Sequence, residues 1–284
     1  MSTLYVVATP IGNLSDMSPR AVVTLKNVDL ICAEDTRVTK KLTNHFGIDT
    51  PLISCHQHNE KSRGDEITGR MLAENLDVAV VTDAGTPAIS DPGTEIVRLA
   101  AQKGIPVVAV AGPSACIAAV SVSGFDFSAF TFHGFLPRES KPLKEKLLQI
   151  GRCGEGAVFH ESPHRVKGLV QAIADTLPGA RLSVSCDLTK LHELTLRGTP
   201  EEILAALNAN EKSEKGEYCL VADLRNVQLP EEKPVAAVSL EAQLFDLLLQ
   251  GMELRDAIDA LVANGEKKNA VKAAALHLKE YVDA

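Results

Sequence analysis

Strand-length apolar runs alternate with helix-length stretches through most of the chain, and several of the runs end in loops of small residues and prolines. LYVVA (4–8) runs into TPIGN, DLICA (29–33) into EDTR, DVAVVTD (77–83) into AGTPAISDPG, and IPVVAVAG (105–112) into PSA. Between them the sequence predicts helices. One opens at Ser18-Pro19, where serine caps and proline suits the first turn. Another, TEIVRLAAQKG, stops at Gly104. Such alternation predicts an α/β layer with a largely parallel sheet, buried on both faces.

A second α/β set follows Phe125-Asp126-Phe127. FTFHGFLPR, GAVFHE, RLSVSCD and EYCLVADL read as strands, separated by helices over 140–150, 163–176 and 200–210. NVQLPEEKPV (226–235) reads as a linker, and 239–284 as a small helical appendage punctuated by Gly251 and Gly265. The expected organisation is two α/β domains, 1–118 and 119–228, with a cleft between them, then a helix-turn-helix-like domain over 236–284.

Composition removes several functions. The chain has 284 residues, 45% of them hydrophobic and 23% charged, so most of it should be globular. Aromatics are 4% and tryptophan is absent, which disfavours a base-stacking platform. A net charge of −8 argues against a uniformly basic nucleic-acid binder but permits a local basic patch. No signal-peptide pattern or membrane-length apolar run is present, so the expected location is cytoplasmic and off the membrane. The six cysteines are scattered without a CxxC pair, so neither a disulfide framework nor a zinc site is expected.

No GxxxxGK[ST] or GxGxxG motif follows the first strand. The strand-end loops remain. In an open α/β sheet, ligands bind outside the carboxyl ends of the strands, so TPIGN, DAGTPAISDPG and AGPSA can converge on one crevice. Gly85, Gly93 and Gly112 would admit close backbone approach, while Pro10, Pro87 and Pro113 would stiffen the walls. Taken singly, each loop also reads as an ordinary turn.

VATPIGNLSD, CAEDTR, VTDAGTPAISDPG, VAGPSA and HESPHR, in that order, resemble the tetrapyrrole-methylase superfamily of S-adenosylmethionine methyltransferases. They are most similar to its branch that methylates the ribose 2′-hydroxyl of a cytidine in small-subunit (16S) ribosomal RNA near the decoding centre. The resemblance covers residues 1–225, and the helical appendage resembles that branch's C-terminal domain. It implies S-adenosylmethionine bound in the cleft between two α/β domains, small-subunit RNA or the 30S subunit as partner, and a homodimer. By the same resemblance Pro10, Asp83, Gly85, Thr86, Pro87, Ile89, Ser114, Ala115 and Tyr218 fall at cofactor-lining positions, and Glu161 at a further one in the second domain. The corrin and sirohaem members carry a GDP triplet where this chain has Gly85-Thr86-Pro87, so the aspartate is missing. That departure speaks against tetrapyrrole chemistry and leaves the parts of Asp83 and Asp91 open.

Methyl transfer to a hydroxyl is an in-line displacement that gains from alignment and from a base. Glu34, Asp35 and Arg37, with His160 and Glu161, are the polar clusters expected to carry catalysis, joined by Lys190. Each also has a plainer reading: EDTR as a solvated ion-pair surface, His160 as a satisfied core histidine, and Ser162-Pro163 as a helix cap and first turn. His164 and Arg165 are expected to meet substrate. CHQHNEKSRG (55–64) reads as a mobile polar loop facing substrate, its histidines too few for a metal site. Lys268 and Lys272, four apart on one helical face, read from charge alone as a solvated face, and the resemblance implies that they meet RNA phosphate. The rival functions are a tetrapyrrole-precursor methyltransferase and a non-catalytic module that binds a nucleotide-like ligand.

Overall fold

The computed structural model describes residues 2–57, 59–229 and 239–282, the last four by their backbone alone. The first set of elements is β1 (Leu4–Val7), α1 (Pro19–Asn27), β2 (Leu30–Ala33), α2 (Thr36–Phe46), β3 (Leu52–Ser54), α3 (Glu60–Glu74), β4 (Val78–Val81), α4 (Thr94–Gln102), β5 (Val107–Val110) and α5 (Ala115–Ser123). The strands form a parallel sheet in the order β3-β2-β4-β1-β5. Strand side chains alternate between the faces, and both faces of the central strands are covered. Ala79 and Val81 of β4 join Val7, Leu25 and Ile31 in one core, whereas Val78 and Val80 join Leu4, Ile67 and Ile96 in the other. Burial on both faces explains the near-continuous apolar runs. The edge differs from expectation: Val107 and Ala109 of β5 are exposed.

Helix starts follow local chemistry. Ser18 Oγ accepts from Ala21 N at 3.1 Å, with Pro19 as the first residue of α1. Residues 60–64, expected as part of a mobile loop, form the first turn of α3. Glu60 holds that turn in place, because its Oε1 accepts from Gly93 N and Glu95 N at 2.8 and 2.7 Å.

The second set is β6 (Phe130–Phe135), α6 (Ser140–Cys153), β7 (Gly156–Glu161), α7 (Val166–Thr176), β8 (Arg181–Cys186), β9 (Leu194–Gly198), α8 (Pro200–Ala209) and β10 (Tyr218–Asp223). Its sheet runs β6-β7-β10-β8-β9, parallel between β6 and β7 and antiparallel elsewhere. Cys116 and Ala119 of α5 are buried with Val158, Cys219 and Val221, so α5 packs on this second sheet. The boundary drawn at 118 therefore falls inside a helix. The expected cap at Ser162 is also revised: residues 162–165 form a turn and α7 starts at Val166 with no side-chain cap. Residues 226–229 are less free than a linker, since Gln228 N donates to Pro178 O at 3.1 Å and Val227 and Leu229 pack on the second core.

Residues 1–229 form one compact unit. The other compact unit holds α9 (Leu240–Leu249), α10 (Leu254–Ala263) and α11 (Lys268–Val282). Leu244, Ala257, Leu261, Val271, Ala274 and Ala275 form its core, and Gly251 and Gly265 take positive φ between the helices. Among the described residues no helix is long and apolar enough to cross a membrane.

Candidate active site

β1 and β4 are neighbours, yet the chain leaves β1 toward β2 on one side and leaves β4 toward β5 on the other. Such a reversal of direction opens a crevice beyond the carboxyl ends of the strands. Here the loops after β1 and β4 cross and are pinned together. Thr9 N donates to Gly85 O at 2.9 Å, Gly85 N to Thr9 O at 3.0 Å, and Thr9 Oγ1 to Thr82 O at 3.1 Å. Gly85 has φ +88°, a conformation costly for other residues. The loop after β5 joins them: Thr86 Oγ1 donates to Pro113 O at 3.1 Å, and a Cβ on Gly112 would lie 3.0 Å from that of Ala8. The three loops singled out in the sequence thus meet.

A cavity of about 360 Å³ opens where these loops face the second sheet. Ile11, Ala84, Asp91 and Ala115 line it from the first set of elements, and His160, Glu161, Leu188, Glu217 and Tyr218 from the second. Its size suits a small-molecule ligand. Glu161 is buried: its Oε1 accepts from Ser162 N at 2.7 Å, and its Oε2 lies 3.2 Å from Arg165 Nη2 without hydrogen-bond alignment. His160 packs edge-on against Phe132 and Phe135, and its Nε2 is shielded from solvent and has no hydrogen-bond partner. Burial pulls the His160 imidazole below its ordinary range, against the opposing pull of Glu217. Tyr218 is buried too, its hydroxyl donating to Ser213 O at 2.9 Å.

A second cavity, about 250 Å³, lies against the same crossing and is lined by Pro10, Gly12, Leu14, Val38, Thr39, Lys41, Leu42, Thr82 and Asp83. Glu34 organises its floor, since Glu34 Oε2 accepts from Thr82 Oγ1 at 2.6 Å and from Asp83 N at 3.3 Å. Asp83 Oδ1 in turn accepts from Asp35 N at 3.1 Å. Burial raises the carboxyls of Asp83 and Asp91 above the usual range. Asp35 goes the other way, to about 2, because Arg37 hydrogen-bonds it. The Arg37 side chain is 87% exposed and pairs with Asp35 at 2.6 Å, away from both cavities.

Other expected site residues are dispersed. Ile89 is 65% exposed. Pro87 is buried, and Ser114 is half-buried at the start of α5 without a side-chain cap bond. Lys190 is held by Asp187 and Glu217, both at 2.9 Å, and its stem covers Gly12, where a Cβ would come within 2.5 Å of Lys190 Cγ. Burial works against the Lys190 charge, but the two carboxylates outweigh it and raise its pKa. His164 and Arg165 line a separate groove with Arg138. Arg165 is largely committed to the carbonyls of Leu136 and Pro137, at 3.2 and 3.1 Å. Lys268 and Lys272 are exposed on α11 of the other unit. Among the described residues no cluster of three or more His, Cys, Asp or Glu side chains could hold a metal ion.

Glu217 was missed by the sequence reading. It reaches the cavity because Tyr218 pairs with Glu161 in antiparallel register, which sets the start of β10 beside the end of β7. Residue spacing carries no signal for that pairing.

Residues 3–204 match the family model of the tetrapyrrole (corrin/porphyrin) methylases. The chain belongs to the tetrapyrrole methylases. Among relatives of this methylase, the ribosomal RNA small subunit methyltransferase I of Halalkalibacterium halodurans is 41% identical over 257 residues, covering 90% of this chain and 88% of that one. The protein of the same name from Pseudomonas aeruginosa is 41% identical over 278 residues, 96% of each chain. In fold, the methylase is similar to diphthine synthase, with a TM-score of 0.60 at 12% identity, covering 80% of this chain and 92% of the other. Thr86 donates to a carbonyl, where a carboxylate in its place would meet another acceptor.

Proposed function

We propose that the protein transfers a methyl group from S-adenosylmethionine to the ribose 2′-hydroxyl of a cytidine in small-subunit ribosomal RNA, in the cytoplasm and as a homodimer. The observation that carries this is the larger cavity at the β1/β4 crossing, in a chain 41% identical over 96% of its length to a ribosomal RNA small subunit methyltransferase I. The cavity fits the cofactor in size, and the buried, unpartnered Nε2 of His160 is the kind of atom a ligand would satisfy. S-adenosylmethionine supplies an electrophilic methyl group on a sulfonium.

The chain's own residues supply the rest. Ala115, Ile11 and Tyr218 form walls that hold the cofactor and exclude water, and the pinned loops keep it aligned, the contribution that matters most in displacement between oriented partners. His160, whose charged form burial disfavours, accepts the hydroxyl proton. Glu161 is a positioning residue that fixes the turn after β7 through Ser162 and Arg165. Lys190 clamps the 187–193 turn over Gly12. Arg37, His164, Lys268 and Lys272 supply exposed cationic or imidazole groups for RNA phosphate.

The homodimer reading rests on α5 and β5. Helix α5 carries no charged residue, with Ile117 58% and Val122 36% exposed, and β5 is an edge strand with Val107 and Ala109 exposed. Open strand edges and exposed apolar side chains are surfaces that proteins cover.

Mapping 2′-O-methylation across ribosomal RNA from cells with and without the protein tests the proposal. Loss of the mark at one small-subunit cytidine, restored by the purified protein and S-adenosylmethionine, is expected. Retention of every cytidine mark would refute it.

A further inference from the structure

The smaller cavity carries its own set of apolar and polar groups. Its walls are apolar, with Leu14 43% and Val38 39% exposed beside Leu42 and Pro10. Large aliphatic side chains left open at a concave wall mark a surface that a flat apolar face can cover. Its polar groups are few. Asp83 presents a carboxylate whose Oδ1 is taken by Asp35 N and whose Oδ2 has no hydrogen-bond partner among the described residues. Glu34 fixes the Asp83 backbone. Thr39 is 3% exposed, and its Oγ1 has no partner either. Lys41 is exposed at the rim.

The two cavities share their walls. Pro10 and Gly12 line the smaller one and Ile11 the larger; Thr82 and Asp83 line the smaller and Ala84 the larger. Consecutive residues are about 3.8 Å apart at Cα, so only one thickness of backbone separates the cavities. That separation is of the order of the distance between a nucleotide's base and its own ribose hydroxyl.

We propose that the smaller cavity is the recognition site for the target base, a pyrimidine bearing an exocyclic amine, unstacked from the RNA and seated between Leu14, Val38 and Leu42. Asp83 Oδ2 accepts from the amine, the contact by which carboxylates select cytosine. Uracil presents a carbonyl at that position and meets the carboxylate as acceptor against acceptor. The Thr39 hydroxyl gains a partner on the base, and Lys41 meets the flanking phosphate. Enzymes that modify a nucleotide inside a folded nucleic acid commonly extrude it into such a pocket. This assignment rests on the ribose-methyltransferase reading and moves Asp83 from the cofactor to the substrate.

The test is NMR titration of the isotope-labelled full chain with cytidine and with uridine. Cytidine is expected to shift the signals of Val38, Thr39 and Leu42, with uridine binding at least about tenfold more weakly. Asp83→Asn should remove that preference, and Val38→Trp should abolish the cytidine shifts while S-adenosylmethionine still binds by calorimetry. The inference is overturned if cytidine moves none of these signals, if its shifts are confined to Ala115 and Tyr218, or if Asp83→Asn keeps the preference. Direct shifts of Val38, Thr39 and Leu42 by S-adenosylmethionine would also overturn it. Nucleoside binding needs no turnover, so its failure is distinct from absence of the methyl mark in ribosomal RNA.

Discussion

Thr86 Oγ1 donates a hydrogen bond to the carbonyl of Pro113 at 3.1 Å and so joins the loop after β4 to the loop before α5. This contact closes one side of the β1/β4 crossing. A hydroxyl can make this contact, whereas a carboxylate would face the carbonyl as a second acceptor.

Thr86→Asp should destabilise the fold by about 1–3 kcal/mol, because a half-buried acceptor then faces another acceptor. Urea unfolding measures it, and an unchanged midpoint would show that the contact has no energetic weight. Thr86→Val, which only deletes the donor, should cost less, about 1 kcal/mol.

Ala115 lines the larger cavity and begins α5. Ala115→Leu should therefore lower S-adenosylmethionine affinity by about tenfold or more, by occupying space the ligand needs. Calorimetric affinity equal to wild type would remove the cofactor from this cavity.

His160 as the proposed base predicts an acid limb. Its folded pKa lies below the ordinary 6.5 through burial, so kcat/KM should fall only as the pH drops below that value. His160→Gln should flatten the limb and lower kcat by about 10²–10⁴-fold. The same shift affects stability. The unfolded chain takes up this proton first, so the stabilising contribution is complete above pH 6.5 and declines as the pH falls toward the folded pKa. A pH profile that keeps its acid limb in His160→Gln would assign the base elsewhere.

Lys268 begins α11, where a positive charge opposes the helix dipole. Lys268→Glu should thus stabilise the helical unit slightly, by about 0.3–1 kcal/mol, while weakening RNA binding. With Lys272→Glu added, the salt dependence of binding to small-subunit RNA should lose about two counterions. An unchanged salt slope would leave both lysines as solvated surface.

Ile117→Arg on the exposed face of α5 should yield a monomer by sedimentation at micromolar concentration, with the fold retained by circular dichroism. A wild-type protein that already sediments as a monomer would refute the homodimer.

Much of this architecture was legible because apolar runs buried on both faces leave a continuous pattern. Val78–Val81, Leu4–Val7 and Tyr218–Asp223 stand out for that reason. β3 has only three residues, all half-buried, too short and too mixed to read as a strand. β9 shows alternating polarity that a connection could also have, and only its pairing with β8 makes it a strand.

By itself the sequence determined the α/β alternation, the helix cap at Ser18, the stop at Gly104 and the small-residue loops at the strand ends. These are local consequences of periodicity, capping and backbone freedom. The tertiary structure alone decided how those loops are shared. The reversal of direction between β1 and β4 places Ile11 and Pro10, adjacent in sequence, in different cavities. Strand register brings Glu217 beside Glu161, and burial, not composition, disfavours the charged form of His160. Such relations depend on which strands pair and which atoms lose water, and neither is written in the spacing of residues along one chain.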